Sequence, residues 1–259
     1  MQGRVLAQPL TLPTSAFVAG ALLLDAPIDQ RSALGRLGAP DLRALDRNGL
    51  THEDRLVPWF ATLVEVVAWP ELAAELVRQR PGSRPERTLV WARTDAAVLG
   101  TPHDGTITVA PIEVRSITDR LVDACAVPER GPHLARPGLV ADVLAALLAD
   151  DAPRVAAALD RAADVDSPDL PLLAEVLELA PATWRLETAW TDREGRRGGV
   201  LGGLDAGSLG TWEIRGAAHP LDLRPTTSSA VRRQVADLLP HDTDVERPHP
   251  LADQPEEHQ

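Results

Sequence analysis

Lysine and tyrosine are missing altogether; all 26 Lys/Arg positions are arginine. Without lysine the chain cannot form a Schiff base or supply the phosphate lysine of a P-loop or a kinase. Without tyrosine it has no phenol for acid or base work. Cys125 is the one cysteine, so no internal disulfide can form and a cytoplasmic setting is expected. No apolar run approaches the length of a membrane-spanning helix, and the start, "MQGRVLAQPLTLP", lacks the apolar centre of a signal peptide. Nor is there a basic block. The formal charge is −12, and phosphate contacts dominate nucleic-acid affinity, so neither a membrane nor a nucleic acid is an expected partner.

What is present fits a soluble globular chain. Apolar residues make up 44% and charged residues 25% of 259. We expect one domain over residues 1–240. The last nineteen residues, acidic and proline-containing, are expected to be disordered.

Patterning alternates between two kinds of segment. "LTLPTSAFVAGALL" reads as a short strand, a proline and an apolar helix. "PDLRALDRNG" reads as a short helix ended by Gly49. The stretch from Leu50 to Gly82 reads as successive short helices, with Pro58 and Pro70 in first turns. Leu89, Trp91, Val98, Ile107 and Val109 then sit in short runs broken by "RTD" and "TPHDG", the signals of β-hairpins. After Pro111 the spacing of Val114, Ile117 and Leu121 is helical. Residues 138–180 read as a small helical bundle. "TWRLETAW" returns to period two, more strands follow, and "TTSSAVRRQVADLL" closes as a helix.

One pattern recurs. "ITVAPIEVRSITDRLVDA" and "LDLRPTTSSAVRRQVADL" align without gaps on Pro111 and Pro225, pairing Ile117 with Val231 and Leu121 with Val235. Each follows tryptophan-bearing strands, around Trp91 and Trp190. The expected fold is α+β: a largely antiparallel central sheet with two helical bundles, built by a quasi-two-fold internal duplication.

Catalytic motifs fail on context. "GGVLGGLDAGSLG" (Gly198–Gly210) contains no G-x-G, has no lysine for Walker spacing, and runs into the strand-like "TWEIR". It reads as a hairpin turn with glycines at positive φ, not a phosphate loop. "AGSLG" is out of register with G-x-S-x-G. No two histidines have metal-ligand spacing, and Cys125 on a helix face reads as a small buried hydrophobe. No catalytic residue, cofactor or metal is assigned, and binding is favoured over catalysis. Two alternatives stay open: an enzyme such as a hydrolase with a spatially assembled site, and a small-molecule or sugar module using the six tryptophans.

The order and class of these segments resemble the EspG family of ESX (type VII) secretion-associated proteins. The resemblance is carried by "LTLPTSAFVAGALL", "VPWFATLVEVVAWPELAAEL", "VWARTDAAVLGTPHDGTITVAP" and most closely "GVLGGLDAGSLGTWEIR…LDLRPTTSSAVRRQVADLL". It implies a cytosolic chaperone without enzymatic activity that binds PE–PPE-like helical substrates and keeps them soluble for export. It implies contacts from a strand-connecting loop of the first half, by position Arg93–Gly105, and from the helices of residues 138–180. The candidate contact residues are Arg93, Thr94 and Asp95 in the turn, and Leu139, Val143 and Leu147 on the bundle.

Overall fold

The computed structural model describes residues 9–26, 38–131, 133–179, 181–192, 195–215 and 221–240. The expected tail at 241–259 lies outside them. The first half opens with β1 (Leu10–Pro13) and α1 (Thr14–Leu23), then α2 (Leu42–Arg47). Asp41 caps α2 by accepting the Arg43 N–H, and Gly49, at φ +65°, follows its end. A two-residue hairpin, β2 (Thr51–His52) and β3 (Arg55–Leu56), leads to α3 (Pro58–Ala68), with Pro58 in its first turn where no N–H is needed. Four strands follow: β4 (Leu72–Gln79), β5 (Glu86–Arg93), β6 (Ala96–His103) and β7 (Thr106–Ile112). A 3₁₀ turn at Val114–Ser116 and α4 (Ile117–Cys125) close the half.

The second half repeats this plan. Its helices are α5 (Pro137–Leu148), α6 (Ala152–Asp164) and α7 (Leu170–Leu179). Its strands are β8 (Ala182–Asp192), β9 (Gly195–Asp205), β10 (Thr211–Arg215) and β11 (Asp222–Pro225), and α8 (Ser228–Asp237) ends it. Nine strands form one antiparallel sheet in the order β1-β7-β6-β5-β4-β8-β9-β10-β11. The two meanders meet at the β4–β8 seam, where Leu76 faces Leu186. Three helices, four strands and a final helix thus occur twice, related by an approximate two-fold axis through the seam.

The expected run of helices from Leu50 to Gly82 is corrected in two places, at the β2–β3 hairpin and after α3. "PELAAELVRQ" is not a helix but the strand β4, hydrogen-bonded on both sides to β5 and β8. Its burial alternates, with Leu72, Ala74 and Leu76 buried and the residues between them half-buried. The tryptophan-bearing strands that precede the two endings occupy different places in their meanders. Trp91 lies on the second strand of its meander and Trp190 on the first of its own, which is why their spacings to the following proline differ.

Cross-strand register sorts the side chains by face. Leu89, Trp91, Val98, Ile107 and Val109 lie against α1 and α3 in one core that includes Phe17 and Phe60. Leu204, Trp212 and Leu223 lie in a second core with residues of α5, α6 and α7. Following paired residues from Trp91 through Ala73, Ala189, Gly198 and along β9 and β10 to Trp212 shows that both bundles cover the same face. The opposite face is covered at its centre by α4 and α8. There Leu76, Val90, Leu186, Ile117, Leu121, Val231 and Val235 form the third core, shared by both halves. The residue pairs aligned in sequence, Ile117 with Val231 and Leu121 with Val235, are all buried in it.

The glycine-rich stretch divides in two. Gly198–Asp205 belong to β9, and only Ala206–Gly210 make the turn. In that turn Gly207 (φ +57°) and Gly210 (φ +76°) take the left-handed conformations expected of hairpin glycines, and Asp205 Oδ1 accepts the Gly207 N–H. Within β9 the glycines make room. A Cβ at Gly203 would strike the Trp184 indole, and one at Gly199 would strike Leu238 of the C-terminal segment.

Candidate functional site

The second bundle is built around α5. Its stripe of apolar residues turns inward, and Val140, Val143 and Leu144 are fully buried. Val143 is therefore a core residue. Leu139 and Leu147 are only half-buried and flank the same core, so they are the members of the set with surface to offer. The bundle is held to its entry loop by Asp169, itself buried, whose carboxylate accepts the backbone N–H groups of Ala135 (3.1 Å) and Arg136 (2.8 Å). A buried carboxyl group accepting two N–H groups is a strong local tie. An ion pair from Arg161 of α6 to Asp142 of α5 (3.1 Å) braces its outer surface.

Arg93, Thr94 and Asp95 form the β5–β6 turn and are exposed. Thr94 donates to Glu71 Oε2 (3.0 Å), and the turn borders a 250 Å³ depression with Thr62, Glu65 and Val66 of α3. This turn and α5 are not brought together. α5 packs over β11, five strands from β5, roughly 24 Å at the usual strand spacing.

A different strand-connecting turn of the first half does meet the second bundle. Arg80, Pro81 and Ser83, between β4 and β5, share a cleft of about 340 Å³ with Glu175 and Val176 of α7 and with Asp205–Ser208. Gln79 Nε2 steadies the turn by donating to the Arg80 and Ser83 carbonyls (2.9 and 2.8 Å). Ser208 donates to Glu175 Oε2 (2.8 Å), tying the glycine turn to α7. Sequence reasoning missed these residues. Ser83 and Glu175 belong to different halves, and only the antiparallel β4–β8 seam sets them side by side.

Among the described residues the titratable groups give no catalytic constellation. Cys125 is buried, and desolvation pushes its thiol up to about 12 despite the opposing charge of Arg78. Glu213 is buried on β10. Desolvation pushes its carboxyl up, but hydrogen bonds from Arg215 and Gln234 and the charges of Arg215 and Arg224 outweigh it, so it lies below the usual carboxylate range. His103 faces Asp104 at 3.4 Å on an exposed turn. Among the described residues no group of three or more His, Cys, Asp or Glu side chains could hold a metal ion. Among the same residues no helix is long and apolar enough to cross a membrane.

With this geometry in hand, the chain can be set beside known proteins. No curated protein matches it. Among solved structures it is similar to EspG5, the Mycobacterium tuberculosis type VII secretion system chaperone solved in complex with a PE25–PPE41 dimer. The TM-score is 0.59 at 17% identity, over 90% of this chain and 98% of that one. At that identity the likeness shows the fold. The family model of the EspG family matches residues 19–237, which spans both halves, both bundles and the whole sheet except β1. The chain belongs to the EspG family.

Proposed function

We propose that the chain is a cytosolic chaperone of a type VII secretion system, which holds a PE–PPE-like pair soluble by covering the apolar tip of its helices. The observation that carries this is the EspG-family match across both halves. The fold shared with a chaperone solved with a PE–PPE dimer supports it. The activity asked of the chain is binding, not bond-breaking. A helical tip is recognised by seating its apolar face against a groove, with charged neighbours fixing orientation.

The docking region we assign is the second bundle together with the first-half turn that reaches it. Ser83, Glu175, Val176 and Ser208 border the cleft, and Leu139 and Leu147 supply half-buried apolar surface on α5. Val143 acts from beneath, by holding α5 in shape. Arg93, Thr94 and Asp95 offer a second, separate contact at the other end of β5.

The test is co-expression with a PE–PPE pair encoded by the same genome, reading the soluble fraction and co-purification. We expect capture by the unmodified chain. Ser83→Arg with Ser208→Arg, which crowds the cleft from both walls, should weaken capture more than tenfold. The triple change of Arg93, Thr94 and Asp95 to alanine should cost a few-fold. Failure of every such pair to co-purify with the unmodified chain overturns the reading. Equal loss from both surfaces overturns the assignment of the cleft.

A further inference from the structure

The β5–β6 ladder stops short. Its last paired residues are Leu89 and Gly100. Yet β5 begins at Glu86, and β6 continues to His103. Beyond the last pair each strand keeps only its outer neighbour. Glu86, Arg87 and Thr88 stay in register with β4, and Thr101, Pro102 and His103 with β7. The sheet therefore forks. A groove of about 820 Å³ lies between the two prongs, lined by residues of both and by Thr14.

The prongs are chemically unequal. Pro102 removes one donor from the β6 prong, as proline does at a sheet edge. The β5 prong has three non-proline residues and its full set of backbone donors and acceptors. Along a strand these groups point alternately to the two sides, so part of the 86–88 set faces the fork without a strand partner. Arg84 and Asp104 close the mouth with an ion pair at 2.6 Å. Their side chains are 89% and 59% exposed, so this clasp is weak and opens readily.

We propose that the fork is a receptor for an extended peptide strand, which pairs through its backbone with Glu86–Thr88. An unpaired strand edge is a template for another extended chain, and backbone pairing supplies most of the affinity in such additions. The prong is three residues long, about 10 Å, so the segment taken up is three to five residues. Thr14, Thr88, Thr101 and Thr106 are among the lining residues, and these small walls suit small or β-branched side chains in the guest. The groove shares the Arg80–Pro85 turn with the cleft on its other side. The segment is thus assigned to the secreted partner, flanking its helical tip. That attribution rests on the chaperone reading, whereas the strand receptor itself does not.

The experiment is amide hydrogen exchange on the full chain with the capped peptide acetyl-TVTVT-amide as probe. At ten times its dissociation constant the peptide should slow exchange in Glu86–Thr88 about tenfold. A version with alternate amides N-methylated, unable to pair, should leave exchange unchanged. Arg84→Ala, a surface change that opens the clasp, should bind the peptide up to about fivefold more tightly. Unchanged exchange, or equal slowing by both peptides, overturns the receptor. Capture of a PE–PPE pair without peptide protection removes the fork and leaves the chaperone reading. Protection without capture does the reverse.

Discussion

Gly203 shows how a single position can be decided by its neighbour. It faces Trp184 across the β8–β9 ladder, and the indole occupies the space a side chain would need. Trp184 is itself buried in the shared core, so it has little room to retreat. Gly203→Ala should therefore destabilise the chain by about 1–3 kcal/mol, read as a lower urea midpoint with an unchanged slope. Gly202, whose Cβ would meet only atoms 3.8 Å away, is the control and should tolerate alanine far better. Glu213 makes a second residue-scale point. Arg215 grips its carboxylate through two nitrogens, at 2.7 and 3.1 Å. Its folded pKa is depressed below the unfolded value. The stability it contributes is complete above the unfolded carboxylate pKa and is lost as pH falls through the folded one. Glu213→Gln should lower stability at neutral pH and flatten the acid limb of stability against pH, measured by urea midpoints across that range.

At the scale of elements, α5 separates packing from contact. Val143 is fully buried, whereas Leu139 and Leu147 are half-buried on the same helix. Val143→Ala should cost about 2–3 kcal/mol in thermal or urea unfolding through lost burial and a cavity. Leu139→Ser should cost under about 1 kcal/mol and show its effect in partner capture instead. The stripe itself was legible, because its apolar spacing is helical whatever it packs on. β4 was not legible. Leu72 and Leu76 are four apart, a spacing that fits either period, and Pro70 imitates a helix start. Only the pairing with β5 and β8 settles the matter. The β6–β7 hairpin was readable because its turn, Asp104–Gly105, carries its own chemistry, with both residues at positive φ. The cleft between Ser83 and Glu175 carries no local signal, since its walls meet only through the seam.

Across the whole molecule, the two halves are bound more tightly than their repetition suggests. The sheet is continuous through eight β4–β8 residue pairs. The core beneath α4 and α8 takes Leu76 and Val90 from one half and Leu186 and Val235 from the other. An ion pair from Arg232 of α8 to Asp119 of α4 spans the same boundary. We expect a single cooperative transition, with tryptophan fluorescence and far-ultraviolet circular dichroism coincident in urea. Two separated transitions would show that the halves fold alone. The α+β class, the two bundles and the duplication were legible because each half repeats a strand–proline–helix ending.

The seam also speaks to descent. A single half would leave β4 as a bare edge, with Leu76 and the underside of its last helix open to water. The arrangement that satisfies such a half is a homodimer joined edge to edge through β4, and the Leu76–Leu186 pair sits where that dimer's axis would pass. Joining two copies in one chain preserves the interface and frees each copy to change alone. The two copies now differ at their turns: the second half carries the five-residue glycine turn where the first has the two-residue Thr94–Asp95 turn, so the two ends of the sheet present unlike surfaces.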